Sequence, residues 1–152
     1  MAADTDLADR TLVITRTFDA PRALVFRLWT QPEHVARWWG PQGFVTTFCD
    51  MDIRVGGCYR FGMRAPDGTE YRKRGIYHEI VEPERIVFTF AWEDEQGRPK
   101  HELLTTVTFH EADGRTRLTL RQEVFETVAG RDDHRAGWVS CLERFAAYIA
   151  TV

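Results

Sequence analysis

Between residues 44 and 124 the apolar residues recur every second position, through six runs separated by turn words. Cys58–Arg64 sets Tyr59, Phe61 and Met63 on one face and Cys58, Arg60 and Arg64 on the other. Residues 86–92 set Ile86, Phe88, Phe90 and Trp92 against Val87, Thr89 and Ala91. Successive side chains of a strand point to opposite faces, so runs of this kind fold as half-buried strands. Residues 44–51, Glu70–Val81, 101–110 and 116–124 complete the series. The Asp-Gly pairs in "APDGTE" and "EADGR" accept the positive φ of tight hairpins, and "RVGG", "EPER" and "DEQGRP" make the other breaks. Hairpin-linked strands pair antiparallel, which commits the stretch from residue 44 to 124 to one sheet.

Helical spacing appears only at the two ends. Leu12–Phe18 alternates as a first strand, and Asp19-Ala20-Pro21 follows, with Asp19 or Ala20 expected at a helix cap and Pro21 in the first turn. Residues 23–29 gather Leu24, Val25, Leu28 and Trp29 on one face. Pro32 opens a second short helix, "PEHVARWW", and Gly40-Pro41 ends it. The polar stretch "ETVAGRDD" leads into a long terminal helix, where Trp138, Cys141, Leu142, Phe145, Tyr148 and Ile149 share a face. Gly137 costs that helix up to ~1 kcal/mol against Ala, so it is expected to permit close packing. The fold class is α+β: about seven antiparallel strands curling around the terminal helix. Residues 1–10, polar and acidic, are expected to be a flexible tail, and residues 11–152 one domain.

With 43% hydrophobic residues the chain can bury a core, which excludes a disordered segment. A net charge of −3 offers no field for nucleic acid or an anionic membrane. The short cluster Arg72-Lys73-Arg74 reads as a solvated strand face. The most apolar run, "IVFTFAW", is too short to cross a bilayer, and the first ten residues lack the apolar stretch of a signal peptide. Cys49, Cys58 and Cys141 are odd in number and form no CxxC, which points to free thiols in a reducing compartment, the cytoplasm. The histidines (His34, His78, His101, His110 and His134) include no pair at i, i+4, so neither a metal nor another cofactor is expected. Ser140 is the only serine and stands outside any GxSxG context.

The words "FDAPRALVFRLWTQPEHVARWWGP", "DIRVGGCYRFGMRAPDG", "GIYHEIVEPERIVFTFAW", "VTFHEADGRTRLTL" and "HRAGWVSCLERFAAYIA" come in an order that resembles the START-like (SRPBCC) superfamily. Within it the chain is similar to the family of the heat-shock-protein-90 ATPase activator's C-terminal domain. The resemblance implies a helix-grip fold, in which a seven-stranded sheet grips the last helix and leaves a cavity between them. It also implies an apolar small molecule, lipid-like or aromatic, as the partner. The superfamily includes polyketide cyclases and aromatases, so an enzyme of the cyclase, aromatase or hydrolase kind is the alternative reading. A third is a chaperone-interacting stress protein. The eukaryotic co-chaperone carries an additional N-terminal domain that makes the principal chaperone contact, and a chain of this length is not expected to hold one. A homodimer is left open.

Under that fold the expected cavity lining is Trp39, Phe61, Met63, Phe90, Trp92, Trp138 and Leu142, with Gln122 orienting a ligand from the face of Leu118 and Leu120. Trp39 is expected to point inward as a wall, and Trp38 to cover the rim. Polar strand residues considered for acid–base chemistry or ligand orientation are Tyr71, His78, Glu102, Gln122 and Glu123, whose direction depends on register. No recognisable catalytic set emerges, which weighs toward binding over catalysis.

Overall fold

The structure, a computed structural model, describes residues 7–152. After a 3-10 turn at Leu7–Arg10 come β1 (Leu12–Phe18), α1 (Arg22–Thr30), α2 (Pro32–Trp38), β2 (Val45–Met51), β3 (Cys58–Arg64), β4 (Glu70–Val81), β5 (Arg85–Glu93), β6 (Pro99–Ala112), β7 (Arg115–Glu123) and α3 (Val128–Ile149). The strands form one antiparallel sheet in the order β1-β7-β6-β5-β4-β3-β2. From β2 to β7 the chain meanders, and β1 closes the other edge against β7. Register shifts at Thr46/Phe48, Tyr77/Glu79 and Ala91/Glu93 bend the strands, and the sheet curves around α3 as a helix grip.

Several local expectations need correction. Residues 1–6 of the expected tail lie outside the described residues, and Leu7–Arg10 forms a 3-10 turn. Arg131 Nη1 donates to the Asp9 carbonyl at 2.6 Å and Arg10 Nη1 to the Phe125 carbonyl at 3.1 Å. Pro21 is the cap residue of α1 and supplies no side-chain bond. Instead Glu111 of β6 accepts the free Arg22 N–H at 2.6 Å, placing a carboxylate at the positive end of the helix. Phe26, not Leu24, joins the buried face of α1, since the helix lies between β6 and α3 and is covered over a wide arc. The stretch "ETVAGRDD" is no approach to α3 but contains its first two turns, because the Thr127 hydroxyl accepts the Gly130 N–H at 3.0 Å and caps the helix there.

The core is an aromatic stack between α3 and the sheet. Phe18 meets Phe145 edge-on at 5.0 Å, and Phe26 meets Phe109 at 5.3 Å. Trp29 stacks on Trp138 at 6.0 Å and touches Trp38, Trp39, Phe109 and Phe145. Trp38 is wholly buried rather than a rim residue, because its indole N–H finds the Leu28 carbonyl at 2.9 Å inside the core.

The cluster Arg72-Lys73-Arg74 is not a solvated face throughout. A strand cannot turn three consecutive side chains the same way, and Lys73 shares the inward face with Gly75 and Tyr77. Gly75 is sterically required. A Cβ there would lie 1.9 Å from the Thr89 carbonyl oxygen and 2.6 Å from the Tyr59 hydroxyl. Tyr59 crosses β4 at this gap to donate to that carbonyl at 2.6 Å. Gly75→Ala is therefore expected to destabilise the fold by about 1–3 kcal/mol through overpacking, read as a lowered midpoint in urea unfolding.

Candidate functional site

A cavity of about 800 Å³ lies between α3, the segment after α2, and strands β3 to β5. Its apolar walls include Trp39, Phe44, Met63, Phe90, Trp92 and Trp138. The open side is rimmed by Glu70, Arg72, Asp94, Glu95, Lys100 and Asp133. Of the residues expected to line it, Trp39, Met63, Phe90, Trp92 and Trp138 do so. Phe61, Gln122 and Leu142 do not. Phe61 is covered by Trp39, whose ring centre is 5.7 Å away, and Leu142 points into the filled part of the core. Gln122 is on the inward face as expected, but it is wholly buried and bonded to His134 and Trp138, which stand on the cavity wall.

The helix α3 makes the space. Toward its C-terminal end it turns Leu142 and Phe145 to the sheet. In the N-terminal half the residues bordering the cavity are Gly130, His134, Gly137 and Trp138, and of these only Trp138 is large. Gly137 does not permit close packing: no atom lies within 4 Å of a Cβ built there. On the opposite wall, Arg144 Nη1 donates to the carbonyls of Trp39 at 3.0 Å, Phe44 at 2.9 Å and Pro41 at 3.4 Å. One guanidinium thus fixes the backbone of "WGPQGF" to α3, and the Gly-Pro break there is not a free hinge.

A chain of hydrogen bonds crosses one side of the cavity. Trp92 Nε1 donates to His134 Nε2 at 3.0 Å. Because an indole N–H can only donate, Nε2 must carry the lone pair and Nδ1 the proton. Nδ1 then donates to Gln122 Oε1 at 2.8 Å, the same oxygen that accepts from Trp138 Nε1 at 3.2 Å. Gln122 Nε2 passes the chain on to Thr105 Oγ1 at 3.0 Å. The imidazole is neutral and committed on both nitrogens. Burial, with a smaller contribution from nearby Lys73, pushes its pKa down to about 4 against a weaker opposing effect of Asp133.

The two covered thiols are poor nucleophiles. Burial pushes the Cys141 thiol up to about 12 and the Cys49 thiol up to about 11, so both stay protonated at neutral pH. Among the acid–base candidates, Tyr71 lines the cavity, while His78 and Glu102 are exposed on the sheet. Glu123 pairs with Arg121 at 3.2 Å. Glu93, at the cavity's edge, has a fully covered carboxylate held by both Nε and Nη2 of Arg60 at 2.7 and 2.8 Å and by Arg74 at 3.0 Å. Those bonds, led by Arg60, keep its carboxyl below the ordinary range against the opposing effect of burial. Among the described residues no group of three or more His, Cys, Asp or Glu is placed to hold a metal. Sequence reasoning missed Lys73, His134 and Arg144. The inward alternation of Lys73, Gly75 and Tyr77 would have found the first.

The depressed His134 pKa has a consequence for stability. Between pH 6.5 and about 4 the unfolded histidine binds a proton that the folded one refuses, so its contribution is present above 6.5 and is lost on acidification. In His134→Gln, which keeps a donor and an acceptor, the fall of unfolding free energy over that window is expected to be shallower by up to about 1.4 kcal/mol per pH unit. Urea unfolding of both proteins across the window measures it.

Comparison with known proteins places this geometry. No curated protein matches the chain. The solved AHSA1 protein of Silicibacter pomeroyi is 26% identical with a TM-score of 0.86, the match covering 93% of this chain and 98% of that one. A protein of Chromobacterium violaceum is 29% identical, TM-score 0.83, with 91% and 95% covered. One of Arthrobacter aurescens, solved by NMR, is 26% identical, TM-score 0.86, with 98% and 91% covered. The family described as activator of Hsp90 ATPase homolog 1-like protein matches residues 19–150, and the chain belongs to it.

Proposed function

We propose that the chain is a binding module that encloses an apolar small molecule, aromatic or lipid-like, in the cavity between the sheet and α3. The observation that carries this reading is the set of large rings around unfilled space of about 800 Å³, a volume typical of small-molecule sites. Apolar walls of Trp39, Phe44, Phe90, Trp92 and Trp138 supply the burial, and a few fixed polar groups supply orientation. Gly137, a helix-interior glycine facing open space, is readily understood if the space has an occupant.

The geometry favours binding over acid–base catalysis. A general acid or base needs a free lone pair or proton in reach of the ligand. His134, on the cavity wall, spends both nitrogens on Trp92 and Gln122, neither of which is an acid or a base. The three free cysteines fit a reducing compartment such as the cytoplasm. No helix among the described residues is long and apolar enough to cross a membrane.

Two substitutions at one position test the reading. Gly137→Ala has room and is expected to raise stability by up to about 1 kcal/mol through helix propensity, with probe binding retained. Gly137→Phe is expected to fold but to bind the uncharged fluorophore N-phenyl-1-naphthylamine at least tenfold more weakly, because its ring occupies the cavity. Trp92→Ala should weaken the probe as well by removing a wall. Equal probe affinity in wild type and well-folded Gly137→Phe, read by fluorescence titration, would remove the cavity from the account.

A further inference from the structure

Of the 20 lysines and arginines in the chain, only Lys73 and Lys100 are lysine. Arginine thus supplies nearly all of the surface cations, yet a lysine occupies the interior. The two are not interchangeable there: a guanidinium keeps its proton in any protein environment, while an amine withdrawn from water can release it. Lys73 is 2% exposed and stands across from Phe61 on β3 and Trp92 on β5. Its Nζ lies 3.1 Å from the ring centre of Trp39, 4.5 Å from that of Phe61, 4.7 Å from Phe90 and 5.3 Å from Tyr59. Among the described residues no carboxylate pairs with Nζ and no oxygen accepts a hydrogen bond from it.

The titratable groups that face it from neighbouring elements are Cys49 on β2, Cys141 and His134 on α3, and Tyr59 and Tyr77 on the sheet. All five are neutral at pH 7. Burial therefore pushes the amine well below the ordinary lysine value, against small opposing effects from the Cys141 and Cys49 sulfurs. A desolvated neutral amine is a nucleophile toward carbonyl carbon.

Beside Lys73 is a void of about 20 Å³, room for about one water, bounded also by Trp39, Tyr59, Phe61 and Phe88. Trp39 lines this void and the main cavity alike, so its indole is the partition between them. The Trp39 backbone is held at its carbonyl by Arg144 and at its N–H by the Val35 carbonyl. The indole is packed against Trp38, Phe61 and Trp138 and separates the amine from the main cavity, so reaching the amine from there requires the ring to turn aside.

We propose that Lys73 is a covalent docking point, whose amine forms an imine with an uncharged apolar aldehyde or ketone held in the main cavity. The proposal rests on the reading of that cavity as an apolar ligand site. The Nζ lone pair forms the new C–N bond, the carbonyl oxygen leaves as water with the two amine protons, and nothing is oxidised or reduced. The rings around Nζ would accommodate the imine in either protonation state, since their faces attract a cation and their edges pack against an uncharged group. The rim argues for a neutral carbonyl compound over a carboxylic acid. It carries Glu70, Asp94, Glu95 and Asp133 against Arg72 and Lys100, while Glu93 is already neutralised by Arg60 and Arg74. An entering anion would meet net like charge.

The test uses the full chain at pH 7 with 2-naphthaldehyde and sodium cyanoborohydride, which reduces an imine to a stable secondary amine, followed by peptide mass spectrometry. Lys73 is expected to acquire the naphthylmethyl group at least tenfold faster than Lys100, although Lys100 is the exposed one. Lys73→Met, similar in length and lacking the amine, should lose the adduct at that position. An adduct confined to Lys100 and the N-terminal amine of folded wild-type protein overturns the proposal. Fluorescence titration with 2-methylnaphthalene, which has the ring but no carbonyl, separates the two readings. Binding of this hydrocarbon without modification of Lys73 by the aldehyde sinks covalent docking alone. Binding of neither compound sinks the cavity reading with it.

Discussion

The structure depends on a gradient of side-chain size along one helix. The sheet is too wide to be filled by α3 alone, and what fills the gap changes from one end to the other. Where α3 presents Leu142 and Phe145, the space to the sheet closes on Phe18, Trp38 and Trp29. Where it presents Gly130, His134 and Gly137, only the Trp138 ring reaches toward the sheet, as a wall packed on Trp29 and Trp39, and the cavity begins beside it. Interiors are otherwise packed like organic solids, so an opening of this size has to be held by rigid walls. The walls are held: α1 and α2 brace the closed end through Trp29 and Trp38, and Arg144 fastens the segment that carries Trp39 and Phe44. Filled end and open end are parts of one construction.

Much of this was legible in the residues because a strand's alternation is a two-state pattern. Once Tyr59, Phe61 and Met63 share a face, so do their partners across the ladder, and the inward sets of β3, β5, β6 and β7 follow from the sequence. Gln122 was placed inward by the same reasoning, from Leu118 and Leu120. What alternation cannot supply is depth. It distinguishes in from out but not the cavity wall from the layer behind, which is why Phe61, Gln122 and Leu142 were expected one layer too far forward. Nor does it supply partners that come from another element. His134 directly follows a polar stretch that looks solvated until the Thr127 cap starts the helix early and turns His134 toward Trp92 and Gln122.

Lys73 was obscured by its neighbours rather than by its own pattern. Three consecutive basic residues suggest a charged patch by composition, whereas the period of a strand requires the middle one to oppose the other two. Arg74 turns outward with Arg60 to bind Glu93 and clamp β3, β4 and β5 together. That ion-pair network accounts for the outward residues and leaves the inward one to be explained separately. Composition and periodicity disagreed at this position, and periodicity was the better guide.

The two buried polar centres next to the cavity are treated in opposite ways, and the contrast constrains what the interior is for. At Gln122 and His134 each strong donor and acceptor has a partner, as buried polar groups in folded proteins almost always do. At Lys73, a few side chains away, the amine has only the faces of aromatic rings. A fold selected for stability alone could place methionine or leucine there, keeping the packing and removing the desolvation cost. Arginine, the chain's usual cation, would bring a charge that could never be relieved. Lysine is the cation of the two that burial can shift toward its neutral form, and it lies behind a single indole. The fully bonded centre specifies how the cavity is built, and the unbonded one is the feature on which the proposed docking rests.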